Sequence, residues 1–171
     1  MQSRKFGPGA SVTMGRTIAE SDVYLFGGIT GDLGRNHIDE EYCKTQSHYG
    51  KRVVHGALLV GLASAASTMM GERYDKGKWR GASYGYDRVR FIAPVFICDT
   101  ITVTYTIRTL DEAELKTYAD VIAVNQDGQV CFAATHIAKG LSDPVTDKPR
   151  PARARSAAKR AAPKAAPAGK R

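Results

Sequence analysis

The chain has 171 residues, 43% of them apolar, enough for one domain with a substantial core and too few for two. Its net charge of +8 is lopsided: from Leu141 to Arg171 nine Lys or Arg stand against Asp143 and Asp147, so the pI describes this end and the body before it is nearly neutral. That argues against a basic nucleic-acid-binding domain, and three scattered cysteines (Cys43, Cys98, Cys131), with no CxxC pair and no His at ligand spacing, argue against a zinc site or a disulfide-stapled secreted fold.

In chain order, Met1 to Ala10 carries basic residues but no apolar core of a signal peptide and no small-residue cleavage site, so a cytoplasmic location is expected. Ser11 to Met14 reads as a short strand. Glu20 to Gly28 reads as a helix with Val23, Leu25 and Phe26 toward the core, its acidic start suited to a helix N-terminus. A Gly-rich polar loop over Ile29 to Ile38 and a helical turn near Asp39 to Lys44 follow. His55 and Gly56 then open ALLVGLASAASTMM. Gly56 to Gly71 spans 16 residues, below the roughly 18 needed to cross a membrane, so a helix buried on every side is expected there.

Beyond it the period changes. Tyr84 to Phe91 reads as a strand stopped before Pro94. Ile101, Val103, Tyr105 and Ile107 alternate with Thr100, Thr102, Thr104 and Thr106, the signature of a half-buried strand. Leu115 to Val124 and Val130 to Ala138 flank the turn-forming Asn125-Gln126-Asp127-Gly128, which predicts a hairpin. One apolar helix followed by long antiparallel strands makes an α+β domain over 1–140, its sheet curled around the helix. From Pro151 only Ala, Pro, Lys, Arg, Gly and Ser occur, so 141–171 is expected to be a disordered basic tail. Such a tail serves as a solubilising extension or makes weak contact with polyanions; no aromatic residue interleaves its cations to read bases.

The segment FGGITGDLGRNHIDEE, Phe26 to Glu41, holds an aromatic residue, Gly31-Asp32, His37 five residues after that Asp, and Asp39 two beyond the His. A His-Gly pair follows at the mouth of the apolar helix, His55-Gly56, with Ser64 nine residues after His55. This ordered set resembles the MaoC-like (R)-specific enoyl-CoA hydratases, over about Ser11 to Lys139. The resemblance implies a hot-dog fold, a long central helix wrapped by a curved antiparallel sheet, with Asp32 and His37 as catalytic pair. It places Gly56, Ser64, His55 and Arg35 on the oxyanion or substrate side. One departure stands out: the family usually has Asn-Pro where this chain has Gly34-Arg35. An arginine there would pair with Asp32, or reach a substrate carboxylate or a coenzyme phosphate.

Hydration of a trans-2-enoyl thioester needs a base to take a proton from water, an acid to protonate the α-carbon, and donors for charge developing on the thioester oxygen. Asp, with an ordinary pKa of about 3.9, and neutral His, about 6.5, both accept from a water. The family is understood to deliver hydroxyl and proton to one face, giving an (R)-3-hydroxyacyl-CoA. Gly56 is the candidate oxyanion donor, since the first N–H groups of a helix are unpaired and Gly allows close approach. Simpler roles stand beside these: a turn for Asp32, helix opening for His55, a bond to the carbonyl one turn back for Ser64, a solvated helix start for Asp39, Glu40 and Glu41. His48 and His136 show no partner pattern. No G-x-S-x-G elbow or phosphate loop is present. The leading expectation is a hydro-lyase needing neither cofactor nor metal, with an acyl-CoA substrate, no membrane association and an even homo-oligomer, a homodimer at least. The alternatives are a hot-dog acyl-CoA thioesterase and a non-catalytic acyl-CoA-binding protein. Gly61, Ala63 and Ala65 are candidates for leaving room beside the helix.

Overall fold

The alternation around Val103 forms an interior strand of a five-stranded sheet. A computed structural model describes residues 6–75 and 81–140. Its elements are β1 (Ser11–Thr17), α1 (Glu20–Thr30), α2 (Arg35–Ile38), α3 (Glu40–Thr45), α4 (Gly56–Asp75), β2 (Gly81–Phe91), β3 (Thr100–Asp111), β4 (Lys116–Val124) and β5 (Val130–Gly140). All pairings are antiparallel, in the order β1-β3-β4-β5-β2. Ile101, Val103, Tyr105 and Ile107 are buried, as the period of two requires, and face α4 with Val12, Val121 and Phe132 in one core. This is the α+β hot-dog arrangement. Each such side chain fully withdrawn from water contributes roughly 1.5–3 kcal/mol.

The β4–β5 hairpin turns where expected. Gly128 takes φ 77°, a left-handed conformation, and its N–H donates to the Asn125 carbonyl at 3.1 Å. The Asn125 side-chain oxygen accepts from the N–H groups of Asp127 (3.1 Å) and Gln129 (2.9 Å). β1 runs three residues further than predicted because its edge pairs with β3 through Thr17, opposite Thr100.

Two helices depart from expectation. α4 is not buried on every side: Leu59, Leu62, Ala63, Ala66 and Met70 form the inner stripe, whereas Ala57, Gly61, Ser64, Ala65 and Thr68 are exposed. Its outer face is made of small residues, which periodicity of large apolar side chains does not report. α1 continues to Thr30, whose hydroxyl donates to the Phe26 carbonyl at 2.7 Å. It lies on the surface and buries Val23 and Gly27, while Phe26 is half-buried and Leu25 is 64% exposed, contrary to the inward placement read for it.

His136, to which the sequence assigned no role, is buried on β5. Its Nδ1 lies 2.8 Å from the Tyr105 hydroxyl, its Nε2 lies 2.9 Å from the Ser83 hydroxyl, and Tyr86 stacks on its ring at 4.4 Å. Burial pushes its pKa down to about 4. Cys43 and Cys131 are buried and Cys98 is exposed, all three free. Among the described residues no helix is long and apolar enough to cross a membrane. The basic tail read over 141–171 lies outside the described residues.

Candidate active site

The Asp32 loop is built by the way α1 ends. Gly31 takes φ 79°, and its N–H donates to the Gly27 carbonyl at 2.8 Å, closing α1 with a left-handed residue. The chain thereby turns back at once, and the expected ten-residue loop shrinks to Gly31–Gly34 before α2 begins. The Asp32 N–H donates to Thr30 Oγ1 at 3.2 Å, and Asp32 Oδ1 accepts from the Gly34 N–H at 3.3 Å. Asp32 is thus both a turn residue and an exposed carboxylate, its side chain 56% accessible.

His37 rises from α2, a single helical turn. Its Nδ1 lies 2.7 Å from the Val53 carbonyl. A carbonyl only accepts, so Nδ1 carries the hydrogen and the neutral ring presents a lone pair at Nε2. The Val53 N–H returns a bond to the Asn36 carbonyl at 2.9 Å. Cys43 seats its thiol at 3.4 Å from the Asn36 carbonyl and 3.6 Å from that of Arg35. Burial pushes that thiol up, so it acts as a donor and not as a thiolate.

His55 stands behind this pair. It is 2% exposed, its ring stacks on His37 at 3.8 Å, and Phe26 lies 4.7 Å from it on a tilted approach. His55 Nε2 lies 2.9 Å from the Asp32 backbone oxygen. Asp32, His37 and His55 bring one oxygen or nitrogen each within 4.8 Å of one another. That spacing suits a single water held by two hydrogen bonds of about 2.8 Å. A metal ion fits less well. His55 Nε2 faces a carbonyl and therefore carries a hydrogen, leaving Asp32 and His37 as the two lone-pair donors at hand, with separations to close to about 2 Å from the ion.

Gly56 opens α4 beside His37. A Cβ at this position would stand 3.0 Å from the Phe91 ring, so the ring packs directly on the helix start. At Gly34 a Cβ would stand 3.3 Å from both Asp32 Oδ1 and His37 Cδ2, so the missing side chain leaves the gap between carboxylate and imidazole open. His37 and Gly56 share a cleft of about 290 Å³ with Leu59, Phe91, Ile92 and Tyr49. Asp32 lies outside its lining. A second, apolar groove of about 280 Å³ lies between α1 and α4, lined by Leu25, Phe26, Ile29, Leu58 and Gly61.

The remaining sequence candidates are dispersed. Arg35 does not reach Asp32: its guanidinium pairs with Asp39 at 2.9 Å and lies over the Tyr42 ring at 4.2 Å. Asp39 caps α3 by accepting from the Tyr42 N–H at 2.8 Å. That bond, with the Arg35 guanidinium, holds the Asp39 carboxyl below its ordinary value. Glu40 pairs with Arg52 at 2.8 Å and is not a merely solvated helix start. Ser64 sits on the exposed face of α4 with its hydroxyl toward the Tyr86 phenol, which burial pushes up, and lines neither cavity. Of the small residues, Ala63 is buried, Ala65 is exposed and Gly61 opens the groove.

A hot-dog fold with an Asp–His pair packed against the start of its central helix is the class these features define. The chain belongs to the MaoC like domain family, whose pattern matches residues 5–126. It is 38% identical over 102 residues to the (R)-specific enoyl-CoA hydratase of Rhodospirillum rubrum, a match covering 60% of this chain and 66% of that protein. It is 37% identical over 100 residues to Protein MaoC of Klebsiella aerogenes, covering 58% of this chain and 28% of that protein. The matches therefore span less than two thirds of either relative's length. Among solved structures, an (R)-hydratase of A. caviae involved in PHA biosynthesis superposes with a TM-score of 0.68 at 22% identity, over 81% of this chain and 98% of that one.

Proposed function

We propose that this chain is a hydro-lyase that adds water reversibly to a trans-2-enoyl-CoA, giving an (R)-3-hydroxyacyl-CoA. The observation that carries the reading is the Asp32 carboxylate beside a His37 whose Nδ1 is held by the Val53 carbonyl, leaving the Nε2 lone pair toward the same small space. Asp32 is the general base and His37 its partner. Together they hold one water, whose oxygen bonds the β-carbon while its proton passes to the pair and is returned to the α-carbon. The Gly56 N–H, at the mouth of α4, donates to the thioester oxygen as negative charge develops there. Water and thioester are the only reactants, so no cofactor takes part. Membership of the MaoC like domain family and the resemblance to an (R)-specific enoyl-CoA hydratase support the substrate class.

The assembly we propose is a homodimer formed through β2. This outer strand is 11 residues long, and Tyr84 and Phe91 on it are 64% and 54% exposed. Its unpaired edge has the length to meet a second copy.

The test is turnover of crotonyl-CoA and longer enoyl-CoA thioesters, followed by loss of the conjugated absorbance, in the protein and in Asp32→Asn. The substitution keeps the shape of the side chain and removes its basicity, so folding by circular dichroism is unchanged and turnover falls about 10²–10⁴-fold. Near-normal turnover in the variant would falsify the assignment. Release of free CoA thiol by the unaltered protein would establish a thioesterase instead.

A further inference from the structure

We infer that His55 is a positioning residue that fixes the Asp32 loop to the oxyanion end of α4, an assignment that rests on the hydro-lyase reading above. The argument begins with its two ring nitrogens. Nε2 faces the Asp32 backbone carbonyl at 2.9 Å and must carry the hydrogen. Nδ1 is then an acceptor, and it is buried with no hydrogen-bond partner. Leaving such an atom unsatisfied costs roughly 1–3 kcal/mol. A purely space-filling role between Phe26 and His37 is met without that cost by Leu or Phe. What an imidazole adds at this place is the Nε2–H bond to the loop.

The bond spans the two halves of the proposed machinery. His55 immediately precedes Gly56, so its backbone sets the start of α4 from which the Gly56 N–H projects, while its side chain holds the peptide of Asp32. The other bonds of the loop, Gly31 N–H to the Gly27 carbonyl, Asp32 N–H to Thr30 Oγ1, Leu33 N–H to the Gly31 carbonyl, Gly34 N–H to Asp32 Oδ1 and His37 N–H to the Gly34 carbonyl, tie it to α1, to itself or to α2. His37 is secured separately through Val53. Among the described residues, the His55 imidazole is the polar link between the Asp32 loop and α4. It is also the surface on which the His37 ring stacks at 3.8 Å, so one side chain sets the relative placement of base, partner and oxyanion donor. Misplacing reacting groups by about 1 Å costs on the order of 10²-fold in rate.

The experiment compares His55→Leu with His55→Gln in the full chain. Gln retains an N–H near the position of Nε2; Leu fills space alone. In His55→Leu, kcat with an enoyl-CoA falls about 10–100-fold with KM within roughly threefold, and in His55→Gln most of kcat returns. In an Asp32→Asn background His55→Leu adds less than its full loss, because the part that acts through the Asp32 loop is already gone while the His37 stacking is not. Independently of activity, amide exchange at Gly31 to Gly34 quickens in His55→Leu and slows again in His55→Gln. Equal losses in the two variants, or unchanged exchange in both, overturn the inference. An unaltered protein without hydratase activity overturns the functional reading instead, and the exchange measurement then still decides whether His55 holds the loop.

Discussion

Replacing His136 by Gln tests the buried polar cluster on β5 through the pH dependence of stability. The imidazole is held neutral with a pKa of about 4, against 6.5 when solvated. Above about pH 6.5 neither folded nor unfolded chain protonates it and it adds no pH dependence. Between 6.5 and 4 only the unfolded chain takes up the proton, so stability declines as pH falls. Below about 4 both states bind and the decline ends. At about 1.4 kcal/mol per pH unit, the full interval amounts to at most about 3.5 kcal/mol, a large part of the stability of a domain this size. The groups facing the ring are the hydroxyls of Tyr105 and Ser83 and the Tyr86 ring, none of them charged across this range. Gln offers an acceptor to Tyr105 and a donor to Ser83 but does not titrate. Urea unfolding at intervals from pH 7 to pH 4 should therefore show the variant losing about 3 kcal/mol less than the unaltered protein, whatever its stability at pH 7. Parallel profiles would refute the reasoning, because they would mean that His136 is protonated alike in both states.

Two further outcomes follow from the site and the sheet. Gly56→Ala forces the Phe91 ring to move, since a Cβ would stand 3.0 Å from it. That ring is 54% exposed but also packs on buried Phe132, with ring centroids 5.9 Å apart, so stability falls by about 1–3 kcal/mol. Enoyl-CoA turnover falls at least about tenfold as the donor at the helix mouth is displaced, and unchanged kcat would remove Gly56 from its proposed role. Sedimentation equilibrium should give a particle of twice the 18.5 kDa chain mass, and a species of 18.5 kDa at micromolar concentration would count against pairing through β2.

Much of this was legible in the sequence where side-chain pattern and structure obey the same rule. The Thr–apolar alternation of β3 and the Asn125–Gly128 turn are local signals, and the structure keeps both. Asp32 and His37 were found through the family resemblance of the Phe26–Glu41 segment and Gly56 through the separate His55-Gly56 pair; Asp32 and His37 lie together with His55, and Gly56 shares a cleft with His37. What escaped notice depends on partners remote in sequence or on the backbone. His136 has its partners at Tyr105 and Ser83, 31 and 53 residues away on other strands. His55 is bound to a main-chain oxygen, which exists at every position and leaves no trace in residue type. Arg35 was read toward Asp32, a substrate carboxylate or a coenzyme phosphate, but α2 turns it along the helix face to Asp39, four residues on, where Tyr42 also receives it. The exposed stripe of α4 went unseen because Ala, Gly and Ser are as compatible with an inner face as with an outer one.

The two outer strands of the sheet differ in a way that bears on how far such chains can associate. β1 has seven residues, and the hydroxyls of Ser11 and Thr17 are engaged with Thr106 and Thr100 of its neighbour, at 2.9 and 2.7 Å. β2 is longer, irregular at Ser83/Gly85 and Asp87/Arg90, and bordered by exposed aromatic rings. Two copies joined β2 to β2 about a twofold axis consume the same edge on both partners and leave only the short, hydroxyl-lined β1 at either end. With the proposed β2 pairing, growth would stop at that pair: the polarity of the sheet would set a finite stoichiometry, and a long exposed strand would be kept from becoming the seed of a filament.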